Sequence, residues 1–134
     1  MSGSLHIKPT KTKVKKLAYK AFSLYLRTLW TKKGKCKCYT CDRPLILKTV
    51  QVGHWVEGHT NSTYINEEYV RPQDFYCNIQ LGGNQGEFRD RIRKELGTKE
   101  VDKLLLEARD TKDITIDDYL ELARFYREQY EALT

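Results

Sequence analysis

The sequence lacks any long hydrophobic run. No stretch approaches the roughly 18 continuous apolar residues that a membrane span needs, so a membrane protein is not expected. The N-terminal segment MSGSLHIKPTKTK has no apolar block after its charges, which predicts that there is no secretory signal. Internal repeats and low-complexity tracts are also missing. The 134 residues are 40% hydrophobic and 31% charged, which predicts one soluble globular domain. The absence of an export signal, with cysteines expected to be reduced, predicts a cytoplasmic location.

Acidic residues are almost absent from the first 50 positions, which hold thirteen Lys/Arg and the single acid Asp42. This half has a net charge of +12, whereas residues 51–134 have a net charge of −6, and the whole chain has +6. A half this basic is typical of proteins that bind a polyanion, most often nucleic acid. The alternative is a solvated, lysine-rich surface.

Hydrophobic periodicity predicts four helices around a β-rich centre. Residues 1–13 are interpreted as a flexible basic arm, and residues 14–30 as an amphipathic helix with a basic opposite face. The buried stripe of that helix is expected to be Val14, Leu17, Ala18, Ala21, Phe22, Tyr25 and Leu29. The centre, residues 36–84, should contain a hairpin of 45–47 with 50–55. The remaining helices are predicted at 85–96, after Thr98 and after Thr115, and the fold class is therefore α+β.

The last helix carries a stripe of aromatic and aliphatic residues, and Thr115 with Asp118 resembles a capping box at its start. The stripe consists of Tyr119, Leu122, Ala123, Tyr126, Tyr130 and Leu133. We interpret it as core rather than as a platform for stacking bases. If this face were exposed instead, a homodimer through the C-terminal helices would be expected.

The four cysteines are spaced for a metal rather than for disulfides. Cys38 and Cys41 form a C-x-x-C, and Cys77 is the obvious third ligand for a tetrahedral zinc. A zinc ribbon would place another cysteine at the position of Asp74, whose carboxylate can also bind zinc. Cys36 and His59 are the other candidates for the fourth ligand. Reduced cysteines in a small core are the alternative to a zinc site.

His54 ends a predicted strand beside Trp55, where a neutral imidazole could take a proton from water. Hydrolysis of a phosphodiester would also need a metal on the scissile phosphate. Candidate ligands for that metal are Asn78, Asn84, His59 and Glu87. A histidine with a purely structural role is the alternative.

These motifs follow the order of a ββα-metal (HNH) nuclease finger, in which a C-x-x-C precedes a hairpin ending in His, and an Asn follows a downstream Cys. The segments AFSLYLRTLW, CYTCDRPL, VGHW, CNIQLGGN and EFRDRIRKELG, with the following helix, resemble the phage NinG (Rap) recombination nucleases. The resemblance covers about residues 14–130. Its most specific parts are GHW and CNxxLGGNxxEFR.

The resemblance implies a metal-dependent, structure-selective DNA endonuclease that acts on branched recombination intermediates in the cytoplasm of the phage host. Residues 14–134 would form one HNH-like nuclease domain, with a basic helix at 14–30, a zinc-clipped finger at 36–96 and C-terminal helices at 98–134. Its partner would be branched or duplex DNA. It implies structural Zn²⁺ on Cys38, Cys41 and Cys77, with Asp74 in place of a cysteine of the family, and a catalytic Mg²⁺ or Mn²⁺ held partly by Asn78. His59 and Glu87 are the further candidate ligands of that metal from the sequence itself. The catalytic residues would be His54 as general base with Asn78 and Asn84.

The predicted DNA-binding set combines basic residues of the arm, the first helix, the stretch TKKGK after it and the segment that matches the family's GN-x-x-E-[YF]-R. It consists of Lys11, Lys13, Lys15, Lys16, Lys20, Arg27, Lys32, Lys33 and Arg89. Three positions depart from the family pattern, namely Tyr69, Asp74 and Gly58. They favour an alternative function, a non-catalytic nucleic-acid-binding module that retains the HNH scaffold. The acidic C-terminal half with its tyrosine-striped helix indicates a further alternative, a protein-interaction adaptor.

Overall fold

The first helix, α1, spans Lys11–Trp30 in the computed structural model, which describes residues 9–58 and 60–134. Thr10 caps it, since the Thr10 hydroxyl accepts a hydrogen bond from the Lys13 amide at 3.2 Å. The helix therefore starts three residues before the predicted Val14. Lys11 and Lys13 belong to it rather than to a flexible arm, and the rest of that predicted arm, residues 1–8, lies outside the described residues.

The last helix, α5, spans Ile116–Leu133 and packs along α1. The buried residues of α1 recur at every fourth position and are Val14, Ala18, Phe22 and Leu26. Ala18 and Ala123 are both buried in one cluster, and their small side chains let the two helices approach closely. The predicted stripe was too wide, because Leu17 and Leu29 are exposed at 46% and 36%. A single helix partner covers only one i+4 row.

The predicted capping box of α5 is confirmed. The Thr115 amide donates to Asp118 Oδ2 at 2.9 Å, and the Asp118 amide donates to Thr115 Oγ1 at 3.1 Å. Tyr119 and Tyr126 of the aromatic stripe are buried, and the Tyr126 ring meets Phe22 edge-on at 5.0 Å. This face is used within the chain. Dimerisation through the C-terminal helices therefore stays a prediction that would need another surface.

Two small antiparallel sheets form the centre. Strand β1 (Cys36–Lys37) pairs with β2 (Pro44–Leu45), and β3 (Gln51–His54) pairs with β4 (Val70–Gln73). The predicted hairpin of 45–47 with 50–55 is wrong. Residues 46–50 form a turn, in which the Thr49 and Val50 amides both donate to the Ile46 carbonyl. Because of this turn, β2 and β3 do not pair with each other: β2 pairs with β1, and β3 pairs with β4.

A hydrophobic cluster separate from the contact between α1 and α5 begins at Trp55, directly after β3. It is built mainly from the helices that follow β4. The remaining elements are the short helix α2 (Asn61–Tyr64), a 3₁₀ turn (Glu67–Tyr69), a π-helical turn (Tyr76–Gln80), α3 (Gln85–Leu96) and α4 (Thr98–Glu107). The core consists of Trp55, Tyr69, Phe88, Ile92, Val101, Leu104 and Ala108. Tyr69, one of the departures from the family pattern, donates its hydroxyl to the Leu104 carbonyl at 2.8 Å. It is therefore a satisfied core residue.

No helix among the described residues is long and apolar enough to cross a lipid bilayer.

Candidate functional site

Three thiols and one carboxylate converge where β1, β4 and the π-helical turn meet. One ligand atom from each of Cys38, Cys41, Asp74 and Cys77 lies within 4.8 Å of the others. Cys38 follows β1, Asp74 follows β4 directly, and Cys77 lies in the π-helical turn. Between the first two thiols the chain turns sharply, and Asp42 takes a positive φ of 66° just after Cys41. This cluster, hereafter the Cys₃Asp cluster, could bind a metal such as zinc.

The surroundings of the Cys₃Asp cluster suit thiolate ligands. Cys38, Asp74 and Cys77 are at most 4% exposed, and Cys41 alone faces solvent. The Asp74 amide donates to Cys38 Sγ at 3.4 Å, and the Asn84 side-chain amide donates to Cys77 Sγ at 3.8 Å. Donors of this kind orient metal ligands and stabilise the negative charge on sulfur.

Without a metal, one proton of the cluster is held between Cys41 and Asp74. The Cys41 thiol donates to Asp74 Oδ2 at 2.9 Å. Desolvation, followed by this hydrogen bond, raises the pKa of the Cys41 thiol to about 12. The pKa of Asp74 is lowered: desolvation opposes this, but hydrogen bonds from Cys41 and from the Cys77 amide outweigh it. A metal entering the cluster must displace that proton, so its binding strengthens as pH rises.

Asp74 is the candidate fourth ligand that the fold places with the three thiols. Cys36 lies in β1, half-buried, and is not a member of the cluster. His59 lies outside the described residues. The zinc-ribbon spacing of Asp74 and Cys77 therefore predicted this part of the site better than the crowding of Cys36 beside Cys38.

His54 ends β3 at the side of a cleft with a mixed polar and apolar lining. Its Nε2 lies 2.9 Å from the Tyr64 carbonyl, so Nε2 carries the proton in the neutral ring and the lone pair is on Nδ1. The imidazole is roughly parallel to Tyr64 and Tyr19, at centroid distances of 5.9 and 6.2 Å. The two tyrosine rings stack on each other at 4.4 Å. These contacts fix both the tautomer and the plane of the imidazole.

The cleft beside His54 has a volume of about 510 Å³. Asn78 and Glu57 line it together with His54, as do Gln85 and Ile79. The Gln85 side-chain amide donates to the His54 carbonyl at 3.0 Å, which ties α3 to the end of β3. The full lining of the cleft consists of Tyr19, Val52, His54, Val56, Glu57, Gly58, Tyr64, Asn78, Ile79, Gly82, Gly83 and Gln85.

A second depression, of about 350 Å³, adjoins this cleft, and Tyr19, Val52 and Asn78 line both. Its lining is almost entirely polar and includes Arg27 from α1 and Lys48 from the turn after β2. Asn78 donates its side-chain amide to Gln51 Oε1 at 2.9 Å at the junction of the two. The two depressions together, hereafter the groove, lead from a basic end to His54.

Three of the predicted site residues, Asn84, Glu87 and Arg89, lie apart from the groove lining. Asn84 begins α3 with a left-handed backbone (φ 52°), and its amide contacts Cys77 Sγ. Glu87 pairs with Arg91 Nε at 2.9 Å, one turn along α3. Arg89 lies over the Trp55 ring at 5.8 Å. The predicted catalytic role of Asn84, the metal-binding role of Glu87 and the DNA-binding role of Arg89 stay predictions.

The predicted DNA-binding lysines of α1 differ in their surroundings. Lys15 Nζ lies 5.0 Å from the centroid of Tyr64, close to the His54 stack, and Lys11 pairs with Asp113 at 2.8 Å. Lys11 is exposed although it is paired, and the other exposed members of the set are Lys13, Lys16, Lys20, Lys32 and Lys33. Four residues of the groove were not predicted from the sequence, namely Lys48, Gln51, Glu57 and Gln85. Only Lys48, with its positive charge beside a turn, carried a usable signal.

Comparisons with known proteins point to one family. No curated protein and no solved structure matches this sequence significantly. The family model described as Bacteriophage Lambda NinG protein matches residues 4–134, nearly the full length. The match includes both the Cys₃Asp cluster and the groove. The chain therefore belongs to the NinG family of bacteriophage proteins.

Proposed function

We propose that this protein is a metal-dependent endonuclease that cuts branched DNA in the cytoplasm of the phage host. The observation that carries the proposal is that His54 and Asn78 line one cleft, and that this cleft continues into a polar depression lined by Arg27 and Lys48. The order of β3, β4 and the π-helical turn containing Asn78 agrees with a ββα-metal (HNH) finger. The family match supports a role in phage recombination.

In the proposed reaction His54 acts as general base through Nδ1. The Tyr64 carbonyl holds the proton on Nε2, and the parallel tyrosine rings keep Nδ1 at a constant orientation. The imidazole then takes a proton from a water molecule as that water attacks phosphorus. The leaving 3′-oxygen departs on the opposite side. Positioned general bases of this kind contribute about 10²–10⁴-fold to rates.

Oxygen ligands for a catalytic Mg²⁺ or Mn²⁺ are present beside His54. Asn78 and Glu57 both line the cleft, and amide and carboxylate oxygens are the donors that these hard cations prefer. When bound there, the cation would supply positive charge to the scissile phosphate and to the leaving oxygen. Glu57 replaces Glu87 in this assignment, because Glu87 is paired with Arg91 elsewhere on α3.

The Cys₃Asp cluster has a structural task in this proposal, with zinc as its metal. Asp74 directly follows β4, which pairs with the strand that carries His54. Cys77 directly precedes Asn78. A closed tetrahedral site would hold both halves of the cleft to one another, as structural zinc does in domains with small cores.

DNA arms would approach along the groove and the exposed face of α1. Arg27 and Lys48 lie where phosphates flanking the scissile bond would pass. The exposed lysines of α1 and the following turn extend this basic surface. Contacts to phosphates position DNA without reading its sequence, so affinity should fall steeply with salt.

A second candidate function, a non-catalytic DNA-binding module, is favoured by the burial of His54. That side chain is only 7% exposed, as a structural histidine would be. The difference between the two functions is whether the chain cuts DNA when a divalent metal is supplied.

The test is whether the zinc-loaded protein cuts a labelled four-way junction, with a linear duplex and a single strand as control substrates. Each reaction is run without added metal, with Mg²⁺ and with Mn²⁺. The key variant is His54→Gln. Its side-chain amide can still donate to the Tyr64 carbonyl, but it has no basic lone pair. We expect junction cutting by the wild type and a loss of about 100-fold or more in the variant, with unchanged DNA affinity.

Wild-type rates in His54→Gln would exclude His54 as the base. Tight junction binding without cutting in either metal would establish the second candidate. His54→Ala run in parallel shows how much of any effect comes from losing the ring stack.

A further inference from the structure

The segment that follows Asp74 displays an unusual number of exposed hydrophobic side chains. Phe75, Tyr76, Ile79 and Leu81 are 51%, 45%, 56% and 46% exposed. All four lie within residues 75–81, hereafter the apolar turn. Four exposed hydrophobic side chains within seven residues indicate an interaction site, since hydrophobic residues scattered singly are the usual pattern on a protein surface.

The apolar turn cannot bury these side chains by refolding inward. Cys77 already occupies its inner side at 3% exposure, as a member of the Cys₃Asp cluster. The backbone is closed by a hydrogen bond from the Leu81 amide to the Tyr76 carbonyl at 2.9 Å, which gives the turn its π-helical spacing. The Gly83 amide donates to the Cys77 carbonyl at 2.9 Å and anchors the C-terminal end. The side chains are therefore presented outward on a rigid base.

The position of the apolar turn connects it to the groove. Ile79 lines the cleft together with His54 and Asn78. A DNA strand lying in the groove would therefore meet an apolar surface next to the reacting phosphate. The basic residues Arg27 and Lys48 lie on the other side of Asn78, where they match phosphates rather than an apolar partner.

We propose that the apolar turn is a wedge that packs against unstacked bases at a DNA branch point, an inference that rests on the proposed nuclease function. Base faces are apolar and are exposed where stacking is interrupted. Minor-groove and architectural proteins insert Phe, Leu, Ile or Met between base steps and kink the duplex there. Continuous duplex offers such faces only after costly unstacking, so the wedge gives preference for branched DNA without reading sequence.

The test uses a four-way junction that carries 2-aminopurine at the branch and a linear duplex with the same label. The protein is zinc-loaded His54→Gln in Mg²⁺, which prevents cutting during the measurement. The wedge variant adds Ile79→Ser and Leu81→Ser. The matched control adds Leu106→Ser, which removes a 68% exposed leucine from α4, outside the groove lining. Thermal melting checks that all three proteins are folded.

We expect 2-aminopurine fluorescence to rise when the parent binds the junction, because the label loses its stacking partner. The wedge variant should lose that rise and bind the junction about tenfold more weakly, the effect expected when exposed parts of two aliphatic side chains are no longer buried against base faces. Its affinity for the linear duplex should be unchanged. The Leu106→Ser control should match the parent in every measurement.

Unchanged fluorescence and junction affinity in the wedge variant would overturn the inference, as would an equal loss on junction and duplex. A shift from dimer to monomer in the wedge variant, with DNA affinity retained, would assign the apolar turn to self-association and overturn it too. If the wild type cuts the junction but the 2-aminopurine fluorescence does not rise when the parent binds, the wedge is refuted and the proposed nuclease function is retained. A wild type that neither binds nor cuts DNA refutes the wedge and the proposed function together.

Discussion

The close approach of Gln73 to Gly53 leads to a sharp prediction for Gly53→Ala. A Cβ added at Gly53 would lie 2.0 Å from Gln73 Oε1 and 2.7 Å from Gln73 Cγ. Gln73 is fully buried and cannot swing away freely, because its amide donates to the Gly83 carbonyl at 2.8 Å and to Thr40 Oγ1 at 3.1 Å. The substitution must therefore displace a side chain that links β4 to Thr40, which lies between Cys38 and Cys41, and to Gly83, which follows the π-helical turn containing Cys77.

The expected cost follows from what Gln73 would lose. Two buried hydrogen bonds contribute about 1 kcal/mol each, and overpacking of a filled site costs about 1–3 kcal/mol. Gly53→Ala should therefore lower the free energy of unfolding by about 3–5 kcal/mol. This is a large fraction of the total stability of a small domain, which is about 5–15 kcal/mol.

Urea unfolding of the zinc-loaded protein measures this cost, and a double-mutant cycle isolates its cause. In the Gln73→Ala background the clash is gone, so adding Gly53→Ala should cost less than about 1 kcal/mol, because alanine reduces the freedom of the unfolded chain. The coupling between the two sites should then exceed about 2 kcal/mol. Strictly additive effects, or a cost of Gly53→Ala below about 1 kcal/mol, would refute the reasoning.

Two further predictions concern the Cys₃Asp cluster and the pH dependence of stability. Asp74→Ala should weaken zinc binding by at least about 100-fold, measured in competition with a chelating dye, whereas Asp74→Cys should retain zinc binding. If Asp74→Ala bound zinc as tightly as the wild type, Asp74 would not be a ligand. Hydrogen bonds from Arg71 lower the pKa of Glu95 against the opposing effect of desolvation, so its contribution to stability is present above the unfolded pKa of about 4.3 and is lost as pH falls through the lower folded value. Glu95→Gln should therefore lower the free energy of unfolding by about 0.5 kcal/mol at pH 7, since the Arg71–Glu95 pair is partly exposed, and should not change it near pH 2. Thermal unfolding at both pH values measures this difference, and an equal cost at both would contradict the prediction.

The helices could be predicted closely from the sequence because their determinants are local. The periodic residues of α3 and the stop at Gly97 gave its bounds, and Thr115 with Asp118 gave the start of α5. The width of the buried stripe on α1 could not be predicted. Leu17 has the right spacing to be buried, but its exposure depends on where α5 lies.

Strand pairing depended on information that is absent from local sequence. The run 51–54 has strand-like composition, but nothing in it indicates that its partner is 70–73 rather than the nearer 45–47. The intervening turns at 61–64 and 67–69 bring β4 back beside β3. A strand pattern predicts an element, whereas its partner follows from tertiary packing.

The candidate site was predictable where a side chain type carries the chemistry. The three thiols, Asp74, His54 and Asn78 follow from spacing and from the family resemblance. The Tyr64 carbonyl that holds the His54 tautomer could not be predicted, because any residue supplies a backbone carbonyl. Glu87 has suitable chemistry, but the pitch of α3 places it beside Arg91.

The adjacency of Cys77 and Asn78 has a consequence for how this chain tolerates change in length. These neighbours serve different sites, since Cys77 belongs to the Cys₃Asp cluster and Asn78 lines the cleft. One peptide unit, about 3.8 Å between Cα atoms, therefore sets the offset between the two sites. An insertion or deletion there would separate them, because it would shift Asn78 relative to a cysteine that the rest of the cluster holds in place. Length variation in this family is accordingly expected outside the segment between the cluster and α3.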